Sequence, residues 1–274
     1  MMTKIDKEAG KEIERVLERA AHDAVFGSLE ARSGRFDEPF TKEKRIIGMI
    51  LRDAQSAYQS WANWDAINDQ FADADVREAI ANAGLGAIGD IQAALGRDAL
   101  LRAYALSDVY DPHSRDDRLT LCRFAVVLSD TTKATMLASE QWARDLGHFG
   151  DDAANVARSN KKRIDQFCTL IVPDWSIQKA SDPVFEDLRV ALRPVRNRLA
   201  HALEPDAFDA PTIDQIRAFM TLTLKLATDM ALAFLGNAAD LQTFEQFSRK
   251  RAASFWKLAF QATVDLYPLA KWPT

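Results

Sequence analysis

Apolar residues recur at helical spacing along almost the whole chain, and this periodicity limits its fold more than any other feature. From Ile47 they follow at intervals of four, three, four and three residues, through Leu51, Ala54, Tyr58 and Trp61. Such spacing places all of them on one buried face of a helix. No segment alternates apolar and polar residues as a half-buried strand does. The sequence therefore predicts an all-α fold, a helical bundle of about eight to ten helices.

Turn residues and helix caps divide this pattern into segments. Thr41 stands where an N-cap is expected before the long helix predicted to end at Phe71. Thr212 and Gln215 form a capping box ahead of a long apolar helix that ends at Gly236. We expect helices over residues 5–32, 41–71, 74–83, 90–109, 118–146 (as one or two helices), 151–172, 183–203, 212–235 and 240–265.

The chain has 274 residues, which allows one large domain or two small ones at about 150 residues each. It contains no internal repeat, low-complexity tract or linker rich in proline and serine. We therefore predict one compact helical bundle over residues 40–236, with helical extensions over residues 1–39 and 237–274.

Charge balance and cysteine content narrow the class of protein. With 35 basic residues against 40 acidic ones the net charge is −5, which excludes a globally basic nucleic-acid binder but leaves room for a local basic site. Two cysteines, Cys122 and Cys168, cannot form a disulfide framework, so a reducing cytoplasm is expected. Because no uninterrupted apolar run of 18 residues occurs, we expect no membrane span.

Two familiar kinds of cofactor site lack their sequence context. Gly84, Gly86 and Gly89 match the string G-x-G-x-x-G, but a dinucleotide-binding loop needs a strand before it, and the preceding residues have a helical pattern. A turn between helices or close helix packing is the simpler interpretation. The four histidines lie far apart, and neither cysteine belongs to a C-x-x-C pair. The sequence thus predicts no metal site and no cofactor.

The stretch from residue 192 to residue 201 carries the chemistry of greatest interest. At about 100° per residue on a helix, Arg193, Asn197 and His201 lie one above another on one side. Arg196 lies at the edge of the opposite, apolar side. That apolar side consists of Leu192, Val195, Leu199 and Leu203.

This combination of side chains suits the cleavage of RNA without a metal ion. Histidine titrates near neutral pH and can take or give a proton. Arginine presents a fixed set of donors that matches a phosphate and stabilises its developing charge. Asparagine can orient a ribose hydroxyl or the imidazole while the 2′-hydroxyl attacks the adjacent phosphate. The alternative interpretation is an exposed polar helix face that is only solvated.

The motif Arg196-Asn197-x-x-x-His201 resembles the R-x4–6-H motif of the HEPN superfamily (higher eukaryote and prokaryote nucleotide-binding helical domains). The segments LRPVRNRLAHALEP, PTIDQIRAFMTLTLKLATDMALAFLG and LLRAYALSDVYDPHSRDDRLTLCRF are similar to its abortive-infection U-type branch. The resemblance covers about residues 40–236 and leaves the two terminal extensions outside it.

The resemblance implies a helical bundle that forms a homodimer, with the paired motif helices lining a cleft at the two-fold axis. It also implies a metal-independent endoribonuclease of a toxin–antitoxin or abortive-infection system in phage defence. RNA, including tRNA, would be the substrate, and an antitoxin protein a further partner. Arg196 and His201 are then the catalytic candidates and Asn197 their polar companion. Helix geometry adds Arg193 and Arg198 as phosphate contacts.

Two other functions remain open from the sequence. One is a non-catalytic HEPN-like module that binds a nucleotide, RNA or a partner protein through the same cleft. The other is a helical interaction protein whose polar face has no chemical role. Two basic segments could contact phosphates or be solvated helix faces. They are Arg158, Lys161, Lys162 and Arg163 in the first, and Arg249, Lys250 and Arg251 in the second.

The helix predicted over residues 212–235 is apolar on two sides. Such a helix is either central in the bundle or shared with another subunit. Because it follows the motif directly, we favour a place close to the dimer contact. One stripe contains Ile216, Met220, Ala227, Met230 and Phe234, and the other contains Phe219, Leu222, Leu226 and Ala233.

Overall fold

The structure is a computed structural model that describes residues 40–82, 86–107, 120–171, 187, 190–195, 212–236 and 240–266. Within these ranges every regular element is helical and no strand occurs, which confirms the all-α prediction. The helices are α1 Thr41–Phe71, α2 Ala74–Asn82, α3 Ala87–Leu106, α4 Cys122–Leu128, α5 Thr131–Leu137, α6 Glu140–Asp145, α7 Asp151–Leu170, α8 Ile213–Leu235 and α9 Leu241–Leu266.

The long helix α1 organises the bundle, because α3, α8 and α9 all pack against it. Its predicted apolar stripe is buried throughout, from Ile47 to Trp61. The helix ends at Phe71, as expected, and the Asp73 carboxylate then accepts a hydrogen bond of 2.9 Å from the Asp75 backbone N–H at the start of α2. Helical periodicity therefore located both the buried face and the end of this element.

The helix α8 lies in the middle of the bundle, between α1, α3 and α7. Its capping box is present: the Gln215 backbone N–H donates to Thr212 Oγ1 at 3.1 Å, and the Thr212 backbone N–H donates to Gln215 Oε1 at 2.8 Å. Most residues of both predicted apolar stripes are buried within a single chain. Of the two alternatives for this helix, the structure shows the central position in the bundle.

By length and composition alone, α8 is also apolar enough to cross a membrane, and it is the one such helix in the described ranges. In the structure 61% of its most apolar window is buried inside the protein. The charged side chains Lys225 and Asp229 form an ion pair within the helix. These properties are those of a core helix in the bundle, and the absence of a membrane span stays a prediction.

The start of α1 differs from the prediction that Thr41 is its N-cap. Phe40 occupies the N-cap position with a left-handed backbone, φ 68°, and no side-chain cap hydrogen bond is present. Its ring packs edge-on against Trp142 at 5.4 Å and against Phe234 at 5.5 Å between centroids. Aromatic packing between α1, α6 and α8 thus compensates for a backbone conformation that phenylalanine rarely adopts.

The segment predicted as one or two helices over residues 118–146 contains three short ones, α4, α5 and α6. The first break is at Ser129 and Asp130, where the Asp130 carboxylate accepts from the Thr132 and Lys133 backbone N–H groups. The second break was not predicted from the sequence, and there the Ser139 hydroxyl caps α6 by accepting from the Trp142 backbone N–H. Each cap satisfies backbone donors that would otherwise lack partners at a helix start.

We expect Gly236→Ala to lower the free energy of unfolding by about 1–3 kcal/mol. Gly236 ends α8 with φ +73°, a conformation that strains residues with a side chain, and an added Cβ would lie 3.0 Å from Leu146 Cβ. Urea denaturation monitored by circular dichroism measures the change.

Gly89→Ala is the matched control, because Gly89 is in the first turn of α3 with nothing within 4 Å of an added Cβ. There we expect stability to stay equal or to rise by up to about 1 kcal/mol. Equal losses in the two variants would contradict the role assigned to Gly236.

Candidate functional site

The described part of the motif segment is the helical turn over residues 190–195. Leu192 is 1% exposed and belongs to the main hydrophobic core, whereas Arg193 is exposed and Val195 is half-buried. The predicted orientation, apolar side inward and polar side outward, is confirmed for this turn. Four predicted site residues, Arg196, Asn197, Arg198 and His201, lie outside the described residues.

Val190 adds to the description of the outward side. It is 57% exposed and precedes the exposed Arg193 by three residues, which is close to one helical turn. This side of the described turn, over residues 190–195, therefore faces away from the core helices.

The predicted basic segment on α7 does not form one continuous patch. Arg158, Lys161 and Lys162 are exposed. Arg163 instead lies 3.8 Å from the Asp229 carboxylate of α8 and donates to Asn160 Oδ1 at 3.0 Å. Arg163 therefore joins two helices, and the outward positive charge comes from the other three residues.

The three consecutive basic residues on α9 also point in different directions. Arg249 Nε donates to the Tyr58 hydroxyl of α1 at 2.9 Å, whereas Lys250 is exposed. Arg251 lines a groove and has no hydrogen-bond or ion-pair partner among the described residues. Each residue on a helix is rotated by about 100° from the previous one, so a run of three charges does not make one binding surface.

A small polar cluster joins α1 to α9 beside this run. The Tyr58 hydroxyl is buried, and burial raises its pKa in spite of the hydrogen bond from Arg249. Burial also raises the pKa of the Glu245 carboxyl, while the charge of Arg249 opposes the shift. One carboxylate oxygen of Glu245, Oε1, is buried with no hydrogen-bond partner among the described residues.

We expect Glu245→Gln to raise the Tm near pH 8. Because the pKa of Glu245 is raised in the folded protein, its contribution to stability is fully present below the ordinary glutamate pKa. That contribution is lost as the pH rises through the raised value. The substitution removes this loss, so the difference in Tm should close towards about pH 4.

Thermal unfolding followed at several pH values tests this expectation. Glu78→Gln, at an exposed position on α2, is the control for removal of a negative charge. A variant at Glu245 that is less stable than the unsubstituted protein at pH 8 would contradict the expectation.

A groove of about 320 Å³ lies between the middle of α1 and the middle of α9. Two aromatic rings, two side-chain amides, one guanidinium and one buried hydroxyl line it. They belong to Phe247, Phe255, Gln59, Asn63, Arg251 and Ser248. Arg251 is the one charged side chain in this lining, which contains no acidic residue.

This groove was not predicted from the sequence. Phe247, Arg251 and Phe255 are spaced by four residues along α9, which puts them on one side of the helix. The same helix also has aromatic side chains on its packed side, where Phe260 is buried. The four-residue spacing is visible in the sequence, but it does not tell which aromatic stripe packs against α1 and which is exposed.

Within the described ranges, the glycines, cysteines and histidines do not form a recognisable nucleotide-binding loop, disulfide or metal site. Gly86 is the N-cap residue of α3 and Gly89 lies in its first turn, an added Cβ at either would meet nothing within 4 Å, and Gly84 lies outside the described residues. Neither cysteine forms a disulfide. His148 pairs with Asp152 at 2.6 Å, and no group of three or more potential metal ligands occurs within the described ranges.

The site therefore has two separate parts in the described structure. One is the outward side of the motif turn, represented by Arg193. The other is the groove between α1 and α9. No family model, curated protein or solved structure matches the chain.

Proposed function

We propose that this protein is a metal-independent endoribonuclease of the HEPN type, acting as a homodimer in a toxin or abortive-infection defence system. The observation that carries the proposal is the orientation of the motif turn. Leu192 anchors it in the core while Arg193 is exposed. This orientation favours a helix whose Asn197 and His201 are accessible to a substrate.

The proposed reaction is attack of a ribose 2′-hydroxyl on the adjacent phosphate. His201 takes the proton of the 2′-hydroxyl, and a new bond forms between the 2′-oxygen and phosphorus. The bond to the 5′-oxygen breaks, and this oxygen receives a proton from the imidazolium. The products carry a 2′,3′-cyclic phosphate and a 5′-hydroxyl.

The other motif residues support this step in distinct ways. Arg196 stabilises the negative charge that develops on the phosphate oxygens. Asn197 holds the imidazole or the ribose, and Arg193 and Arg198 contact neighbouring phosphates. Two copies of the motif at a two-fold axis would double this local positive charge. A net charge of −5 then favours selective RNA binding over general RNA binding.

The proposed dimer contact is the outward side of the motif turn. Both apolar stripes of α8 are largely buried in the core of the single chain, whereas Val190 is exposed beside Arg193. A cleft formed there would place the two motif helices side by side. Sedimentation at micromolar concentration should show a dimer, and a monomer would count against this part of the proposal.

A non-catalytic module that binds a nucleotide, RNA or a protein is the second candidate function. The observation in its favour is the groove between α1 and α9, which has polar and aromatic lining and lies outside the motif. Such a module would be stabilised by its ligand without turning it over.

Incubation of the purified protein with a set of RNAs that includes tRNA, in the presence of EDTA, tests the proposal. Cleavage by the unsubstituted protein that disappears in both Arg196→Ala and His201→Ala would support it. Cleavage that survives both substitutions would refute the assignment. Ligand-induced stabilisation without any cleavage would support the second candidate instead.

A further inference from the structure

Two of the side chains that line the groove between α1 and α9 are aromatic and largely open to solvent. Phe247 and Phe255 are 60% and 59% exposed, although large aromatic side chains are usually buried or covered in folded proteins. Arg251 stands between them, four residues from each. Two open rings with a cation between them make an aromatic and positively charged surface.

The geometry along α9 sets the size of a matching ligand. Eight residues separate the two phenylalanines, so their positions are about 12 Å apart along the helix axis. Both rings are too exposed for a pocket that encloses one small molecule. The arrangement suits an extended ligand with two flat groups, one for each ring. The part of the ligand that links these groups would carry a negative charge near Arg251.

Polar groups on the floor and wall of the groove are available for hydrogen bonds. Ser248 is 5% exposed, and its hydroxyl is buried without a hydrogen-bond partner among the described residues. Most buried polar groups in proteins have a partner, and Ser248 is the residue of the groove lining whose hydroxyl lacks one in the described part of the chain. The side-chain amide of Gln59 at the same groove also has no partner in the described part of the chain.

Trp256 contacts two residues of the groove lining, Asn63 and Phe255, and fixes their side chains. Its indole N–H donates to Asn63 Oδ1 at 3.0 Å, and its ring packs edge-on against Phe255 at 5.1 Å between centroids. The Asn63 amide also donates to the Gln59 carbonyl at 2.9 Å. One face of the groove is therefore fixed before a ligand arrives, which lowers the entropy cost of binding.

We propose that this groove binds a short segment of single-stranded RNA, with successive bases on Phe247 and Phe255 and the intervening phosphate at Arg251. Single-strand binding proteins combine aromatic stacking with a positive groove in this way. Gln59, Asn63 and Ser248 supply hydrogen bonds to base edges or ribose hydroxyls. The inference deepens the proposed function, and it rests on that function for the choice of RNA.

Fluorescence anisotropy with labelled hexanucleotides tests this binding separately from cleavage. The probe is 2′-O-methyl RNA, which cannot be cut by attack of a 2′-hydroxyl. We expect Phe255→Ala to weaken binding about 5- to 100-fold, and Arg251→Gln about 10-fold. Both residues are exposed, so neither substitution should disturb folding.

Three controls separate this site from general attraction of charge. Lys257→Gln removes the same charge from an exposed position of α9 outside the groove, and binding should change less than about twofold. A hexamer with the same phosphates and no bases should bind weakly and respond little to Phe255→Ala. Free mononucleotides, which cannot reach both rings, should bind more weakly than the hexamer.

The buried hydroxyl provides an independent test. Ser248→Ala should leave the unliganded protein at least as stable and should weaken hexamer binding severalfold. Unchanged binding in the variants at Ser248, Arg251 and Phe255 would overturn the proposal, as would equal binding of the abasic hexamer. A changed oligomeric state in Phe255→Ala would overturn it as well and would identify a protein contact. All three variants retain Arg196 and His201, so failure of the groove and failure of the nuclease assignment are distinguishable.

Discussion

His201→Ala is expected to reduce the rate of RNA cleavage by about 10²–10⁴-fold, the range for loss of a general acid–base group. Arg196→Ala should cost about 10²–10³-fold, because a preorganised charge at the phosphate is then missing in the transition state. Single-turnover cleavage at saturating protein concentration measures these effects on chemistry and not on binding.

His148→Ala is the matched control for loss of a histidine. His148 is half-buried before the start of α7 and pairs with Asp152, so its removal should leave cleavage unchanged. All variants should keep the helical circular dichroism signal and the Tm of the unsubstituted protein within a few degrees. Equal loss of activity in His148→Ala and His201→Ala would speak against a specific role for His201.

Trp142→Ala should lower the free energy of unfolding by about 3–5 kcal/mol, the usual cost of removing a large buried aromatic side chain. Trp142 of α6 is buried against α8, and its indole N–H donates to the Ala233 carbonyl at 2.8 Å. Its ring contacts Phe40 and lies under the Lys44 ammonium, 4.9 Å from its centroid. Alanine would leave a cavity at the point where three helices meet.

Trp142→Phe separates the ring from the hydrogen bond. Phenylalanine keeps much of the apolar contact but cannot donate to Ala233, so we expect a smaller loss, about 1–2 kcal/mol. Urea denaturation of both variants gives the comparison. If Trp142→Ala were within 1 kcal/mol of the unsubstituted protein, the aromatic cluster would not hold α1, α6 and α8 together.

The sequence predicts the long helices well because each carries several turns of consistent pattern. In α1, Ile47 to Trp61 repeat at helical spacing, and in α8 the capping box and Gly236 mark both ends. Contacts between distant residues were less predictable. Phe40 takes the cap position of α1 because its ring packs on Trp142, a residue about 100 positions later in the chain.

In the candidate site, too, local features were predictable from the sequence and contacts between distant residues were not. The orientation of residues 190–195 follows from local periodicity, and Leu192 and Arg193 have the predicted exposure. The basic run on α9 separates into a structural contact at Arg249 and a groove residue at Arg251. The neighbouring helix decides which charged or aromatic residues of α9 stay exposed to solvent. No local sequence pattern contains that information.

The most direct test of the central claim is the chemistry of the RNA ends formed in EDTA, measured by mass spectrometry. We predict 2′,3′-cyclic phosphate and 5′-hydroxyl ends with the unsubstituted protein and no such products with the double variant Arg196→Ala, His201→Ala. We also predict that a substrate with a 2′-deoxyribose at the cleavage position stays intact. Identical products from the double variant, or cutting of the deoxy substrate at that position, would contradict the assignment of His201 and Arg196 as the residues that cleave RNA.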